Sequence, residues 1–156
     1  MVAENPYLCK KIVSMKILIW WLCTFSFLNN NFTPAHTGTL KVIIENVKVQ
    51  NGKIMLALYN TEKDFLSSKT IRALHHPVVN EGTTTILLSG LDHGIYAISL
   101  YHDENNNGKL DTNFFKIPKE PYGFSNDARG VFGPPKYSEA SFIFEKEEQE
   151  LVISLK

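Results

Sequence analysis

From Thr39 onward, apolar and polar side chains alternate with a period of two, which predicts strands rather than helices. In TLKVIIENV (residues 39–47), Leu40, Val42 and Ile44 share one face, and in KIMLALYN (residues 53–60) Ile54, Leu56 and Leu58 do the same. Asn51-Gly52 lies between these segments and has the composition of a hairpin turn, because both residues tolerate positive φ. TIRALHHPVV (residues 70–79) is a weaker strand, ended or kept at an edge by Pro77, which has no N–H for a ladder. TTTILLSGL (residues 83–91) and GIYAISLYHD (residues 94–103) alternate again. ASFIFE (residues 140–145) and ELVISL (residues 150–155) read as a closing hairpin around a solvated, charged turn at residues 146–149.

About seven short strands, with turn signals every eight to twelve residues or so, predict an all-β fold, an antiparallel β-sandwich. A short helical turn is expected near residues 61–67, with Thr61 as its N-cap. The chain has 156 residues, enough for one domain, and its ten Phe and six Tyr can fill a core. Sixteen basic residues balance sixteen acidic ones, so the basic footprint of a nucleic-acid-binding protein is missing.

The first 35 residues read differently. Met15-Lys16 precedes the apolar run ILIWWLCTFSFL, which is too short to span a bilayer comfortably and has the form of a secretory signal. Met15 is then the natural start, with residues 1–14 an upstream extension carrying Lys10 and Lys11. Cleavage is expected after Ala35, leaving residues 36–156 as a single secreted or periplasmic domain. An uncleaved anchor and a lipoprotein attached through Cys23 are the alternatives. Cys9 and Cys23 both lie in this segment, so the mature domain has neither disulfide nor thiolate chemistry.

One region breaks the rhythm. A connection of about 37 residues links the fifth predicted strand to the sixth, and loops of that length are usually functional or disordered. This one carries Phe114, Phe115, Ile117, Tyr122, Phe124, Phe132 and Tyr137, which predicts that it packs on itself or over a sheet edge. At its start stands HDENNNGKLDTNF. With Asp103 in the first position, Asn105, Asn107 and Asp111 take the third, fifth and ninth, Gly108 supplies the sharp turn, and Lys109 offers a main-chain carbonyl. These are the oxygen positions of a calcium loop. The twelfth position is Phe114 where a bidentate Glu is wanted, so Ca2+ affinity would be modest, in the roughly millimolar range of extracellular modules, unless Glu104, Glu120 or Asp127 folds in. The alternative is an ion-free turn, because Asn, Asp and Gly tolerate left-handed backbone and bond their own main chain.

The segment YHDENNNGKLDTNFFKIPKEPYGFSNDARGVFGPP resembles the signature of a bacterial family of exported proteins, domain-of-unknown-function 2141. A weaker likeness extends over residues 40–155. The resemblance implies a single exported β-sandwich of immunoglobulin or transthyretin type, defined by the segment from Asp103 to Pro135. It implies no particular activity.

Other constellations are thinner. His102 with His75, His76 or His93 could begin a transition-metal site, but His75 and His76 point to opposite faces of a strand. Ser125 with His102 and Asp103 suggests a hydrolase, and Asp111 with Glu120 a glycosidase-type pair. The reading reached from sequence is a monomeric, non-catalytic binding or accessory module. Its metal ligands are Asp103, Asn105, Asn107, Lys109 and Asp111, and its ligand surface is His102, Tyr122, Phe124, Asn126 and Phe132. A glycan or a protein is the expected partner, and a membrane only through an uncleaved leader. A hydrolase acting on cell-surface polymer and a purely structural domain are the competing readings.

Overall fold

The structure, a computed structural model, describes residues 36–156, and these fall in one compact unit. The expected leader, its cleavage site and the Met15 start lie outside the described residues. Eight strands form two sheets among them. They are β1 (Thr37–Val47), β2 (Lys53–Tyr59), β3 (Arg72–Pro77), β4 (Gly82–Asp92), β5 (Gly94–Asp103), β6 (Tyr122–Phe124), β7 (Phe142–Phe144) and β8 (Glu148–Ser154). One sheet runs β4-β1-β8. The other runs β3-β2-β5-β6, with β7 also pairing β5.

The inward faces are those set by the alternation. Leu40, Val42 and Ile44 of β1 and Ile54, Leu56 and Leu58 of β2 are buried, and they meet Ile86 and Leu88 of β4, Ile98 and Leu100 of β5, and Ile153 of β8. Each large apolar side chain so buried stabilises the fold by about 1.5–3 kcal/mol relative to exposure. Two bulges keep the pattern in phase. Asn46 (φ 63°) and Gly90 (φ 65°) each insert one residue, so Val47 and Leu91 still face inward after the break in register. The core is contiguous within this unit, which gives it what an independently folding domain needs.

Three connections differ from expectation. Asn51-Gly52 does not close a hairpin: β1 and β2 lie in different sheets, and the turn carries the chain across the sandwich. The same holds at the end of the chain, where β7 pairs β5 antiparallel while β8 crosses over to pair β1 in parallel. The long connection is also not one loop. It is divided by β6, which pairs β5 antiparallel, by a 3-10 turn (Ser125–Asp127), and by the four-residue helix α1 (Tyr137–Ala140). The turn expected near residue 61 is present as i→i+3 turns, with Thr61 Oγ1 accepting the Asp64 N–H at 3.3 Å.

Candidate functional site

β5 ends at Asp103, whose carboxylate is fully buried at the base of the loop of residues 104–121. Its two oxygens accept the N–H groups of Asn107 (3.0 Å) and Gly108 (2.9 Å), and Lys53 Nζ stands 3.9 Å away. Two Asx turns follow: Asn105 Oδ1 accepts the Asn107 N–H at 3.0 Å, and Asn107 Oδ1 accepts the Lys109 N–H at 2.7 Å. Asn106 and Gly108 both hold positive φ, the conformation Asn and Gly tolerate best. The amide nitrogens of Asn105 and Asn107 then donate to the two oxygens of Asp111, at 2.7 and 3.1 Å. The fold thus gathers Asp103, Asn105, Asn107 and Asp111 in one network, with Lys109 inside the same turn.

Glu120 closes it. This carboxylate is only 6% exposed, and it accepts the Glu104 N–H through Oε1 (3.1 Å) and the Asp111 N–H through Oε2 (2.9 Å). A buried carboxylate has to be satisfied by donors of this kind. Of the other acids considered from sequence, Asp127 accepts the Ser154 N–H on β8 instead, and Glu104 reaches only to 4.0 Å from His102 Nδ1. The neighbouring Tyr101 phenol is held above its ordinary pKa, first by burial and then by the charges of Asp103 and Glu120.

His102 is fully buried on the core face of β5 and is no part of an exposed surface. Its Nε2 donates to the Asn51 carbonyl at 2.6 Å, which fixes the tautomer because a carbonyl only accepts; Nδ1 has no partner. Asn51 Nδ2 donates to the Glu104 carbonyl at 3.0 Å. Gly52 (φ 75°) lies so close to the Asp103 carbonyl that a Cβ would collide with it. The sheet-crossing turn is therefore a buttress under the loop.

The remaining predicted surface residues are dispersed in role. Tyr122 and Phe124 are half-buried on β6, with ring centroids 6.0 Å apart, and Phe124 joins a cluster with Phe65, which also packs on Tyr59 and Tyr137. Asn126 (φ 59°) donates to the carbonyls of Glu139 and Ser141, tying the 3-10 turn to α1. Phe132 is 100% exposed. The expected packing of the loop's apolar residues on itself or over a sheet edge therefore holds for Tyr122, Phe124 and Tyr137, whereas Phe114 (95% exposed) and Phe115 (78%) meet each other edge to face but, like Ile117 and Phe132, stay in solvent.

Ser125 is fully buried. Its hydroxyl accepts the Ile98 N–H at 2.9 Å and donates to the Ala140 carbonyl. It stands at the gap along the β5 edge between β6, which pairs residues 99–101, and β7, which pairs residues 94–96. This role was invisible from sequence. Among the histidines, His75 and His76 alternate across β3 as expected, and His93 stacks on His36 at 5.7 Å. Among the described residues no group of three or more His, Asp or Glu side chains is placed to hold a metal ion. An ion at the loop would therefore rely on amide and main-chain oxygens beside Asp103 and Asp111.

No match was found among curated proteins or among solved structures. A family described as an uncharacterised protein conserved in bacteria, DUF2141, matches residues 42–152, from β1 through β8 and across the whole loop region. With most of the chain covered, including the network of Asp103 to Glu120, this protein belongs to that family.

Proposed function

We propose that this chain is an exported, non-catalytic binding module whose working surface is the loop of residues 104–121, ordered by a calcium ion. The observation that carries this reading is the meeting of the Asn105 and Asn107 amides on the Asp111 carboxylate. Rotating an amide by half a turn exchanges its nitrogen for its oxygen. Two such rotations would turn three oxygen-bearing groups toward one another at the cost of the two Asx-turn bonds to the Asn107 and Lys109 N–H groups, an arrangement that repels unless a cation lies among them. Asp103 and the Lys109 carbonyl belong to the same turn and would extend the oxygen set toward the six to eight that calcium takes. With Asp103 and Asp111 as the charged ligands, affinity would fall in the roughly millimolar range of extracellular modules. That range suits the secreted or periplasmic location expected from the leader.

The engaged state of Ser125 supports a binding rather than a hydrolytic role, because its hydroxyl is buried and bonded to main chain on both sides. The partner expected from sequence is a glycan or a protein. The test is thermal unfolding of residues 36–156 in EDTA, in millimolar calcium and in magnesium. A calcium-specific rise in Tm of several degrees is expected from binding to the folded state. Equal Tm values in all three would mean that the Asx turns hold the loop without an ion.

A further inference from the structure

The outer end of the loop is a small, well-braced tip. Thr112 and Pro118 form an isolated bridge, and the Asn113 N–H donates to the Ile117 carbonyl at 2.9 Å. Asn113 Oδ1 accepts the N–H groups of both Phe115 (2.9 Å) and Ile117 (3.0 Å), and the Lys116 N–H returns to the Asn113 carbonyl. Lys116 takes positive φ to make the turn. The tip is thus fixed by main-chain bonds, yet its apolar side chains are out in solvent: Phe114, Phe115 and Ile117, with Leu110 also exposed. The two phenyl rings stand edge to face at 5.5 Å, so they project as a pair. Holding apolar groups outward in this way is unfavourable in water unless something covers them.

The flanking charges say what covers them. Lys109, Lys116 and Lys119 are all exposed, and none forms an ion pair among the described residues. The acids nearby are engaged, Asp111 by two amides and Glu120 by two N–H groups. Those bonds come from neutral donors and leave the carboxylate charges in place, but within residues 109–119 three lysines stand against the single carboxylate of Asp111, so the outer tip itself carries a positive excess while Asp103, Glu104 and Glu120 lie at its base. Lysine is depleted from the cores of protein interfaces, whereas aromatic and aliphatic tips ringed by lysine suit the boundary between acyl chains and anionic headgroups. Long lysine stems can lie along the apolar zone while their ammonium groups reach phosphate.

We propose that the tip of residues 110–119 docks on the surface of an anionic phospholipid bilayer, inserting Phe114, Phe115 and Ile117 and pairing Lys109, Lys116 and Lys119 with headgroup phosphates. The proposal rests on the reading of this loop as the working surface and replaces its expected glycan or protein partner with a lipid one. It also adds a route to the membrane beyond the uncleaved leader. Among the described residues no helix is long and apolar enough to cross a membrane, and the attachment proposed is to the surface.

The test is co-sedimentation of residues 36–156 with phosphatidylcholine vesicles, with and without phosphatidylglycerol, at low and high salt. The wild type is expected to bind phosphatidylglycerol vesicles, and high salt to weaken that binding. Phe114→Ser with Phe115→Ser should weaken binding about tenfold or more while leaving Tm unchanged, since both side chains are exposed. Lys109→Gln, Lys116→Gln and Lys119→Gln together should abolish the preference for phosphatidylglycerol. Absence of vesicle binding, or binding equal in the double Phe variant, overturns the proposal. So does a wild type that self-associates in sedimentation velocity through Phe114 and Phe115 and ignores vesicles. A calcium-dependent rise in Tm without vesicle binding removes the lipid partner and leaves the ion-ordered loop standing. Vesicle binding without any calcium effect does the reverse.

Discussion

Glu120 and Asp111 are joined through the main chain: Glu120 Oε2 accepts the Asp111 N–H at 2.9 Å. The other Glu120 oxygen holds the N–H of Glu104, the first residue after β5. One buried carboxylate thus clamps both ends of the Asn/Asp turn, and the network of Asp103, Asn105, Asn107 and Asp111 hangs between its two bonds.

Glu120→Gln keeps the size of the side chain but replaces one acceptor oxygen with an NH2 group facing an N–H. A buried group left unsatisfied costs about 1–3 kcal/mol, so Tm should fall by several degrees. Differential scanning calorimetry checks this, and a variant as stable as wild type would mean that the clamp contributes nothing.

Tyr101 reports on an ion at the loop. Its pKa is raised above the ordinary 10.0 by burial, with Asp103 and Glu120 adding to the rise. A raised folded-state value favours the neutral phenol in the folded protein. Its contribution to stability is therefore full below pH 10 or so and lost as pH rises through the folded value. Calcium beside Asp103 would offset the carboxylate charge, lower the Tyr101 pKa and shrink the alkaline loss of stability. Phenolate absorbance titrated with calcium and with EDTA measures this, with Tyr101→Phe identifying the signal. Calcium binding with no shift in Tyr101 would place the ion elsewhere.

Ser125→Ala separates structure from catalysis. The change strands the Ile98 N–H and the Ala140 carbonyl, both buried with the Ser125 hydroxyl. A loss of about 1–3 kcal/mol is expected in urea unfolding. A variant with undiminished stability would mean that the hydroxyl is not a needed stitch and would reopen a chemical role for it.

Gly123→Ala tests how closely the return strand approaches the opposite sheet. Gly123 pairs Leu100, and a Cβ there would sit 2.7 Å from Cγ2 of the fully buried Ile153 on β8. Overpacking of this kind costs about 1–3 kcal/mol. Gly108→Ala meets no atom within 4 Å but must hold φ 76°, so its cost, about 1–2 kcal/mol, comes from the backbone alone. Urea midpoints for the two variants, with Gly108→Asn recovering part of the second loss, check the distinction.

Short-range physics was legible in the sequence. The alternation of Leu40, Val42 and Ile44 and of Ile54, Leu56 and Leu58 named the buried faces, because side chains two apart on a strand share a side. The spacing of Asp103, Asn105, Asn107 and Gly108 offered a calcium loop or a tight self-bonded turn, and the turn was legible because its bonds span only two to five residues. What the sequence left open depends on partners distant in the chain. Asn51-Gly52 supplies the backbone freedom for a turn, but that freedom serves a hairpin and a sheet crossing equally, and only the pairing of β1 with β4 and β8 decides between them. The same ambiguity hid the parallel pairing of β1 with β8. Ser125 meets Ile98 across 27 positions and Glu120 meets Glu104 across 16, contacts with no local periodicity to announce them. Composition placed Phe114 and Phe115 in an aromatic-rich loop. Whether that loop folds inward over a core or holds its rings in solvent was decided by tertiary structure, through the Asn113 bonds that hold the tip.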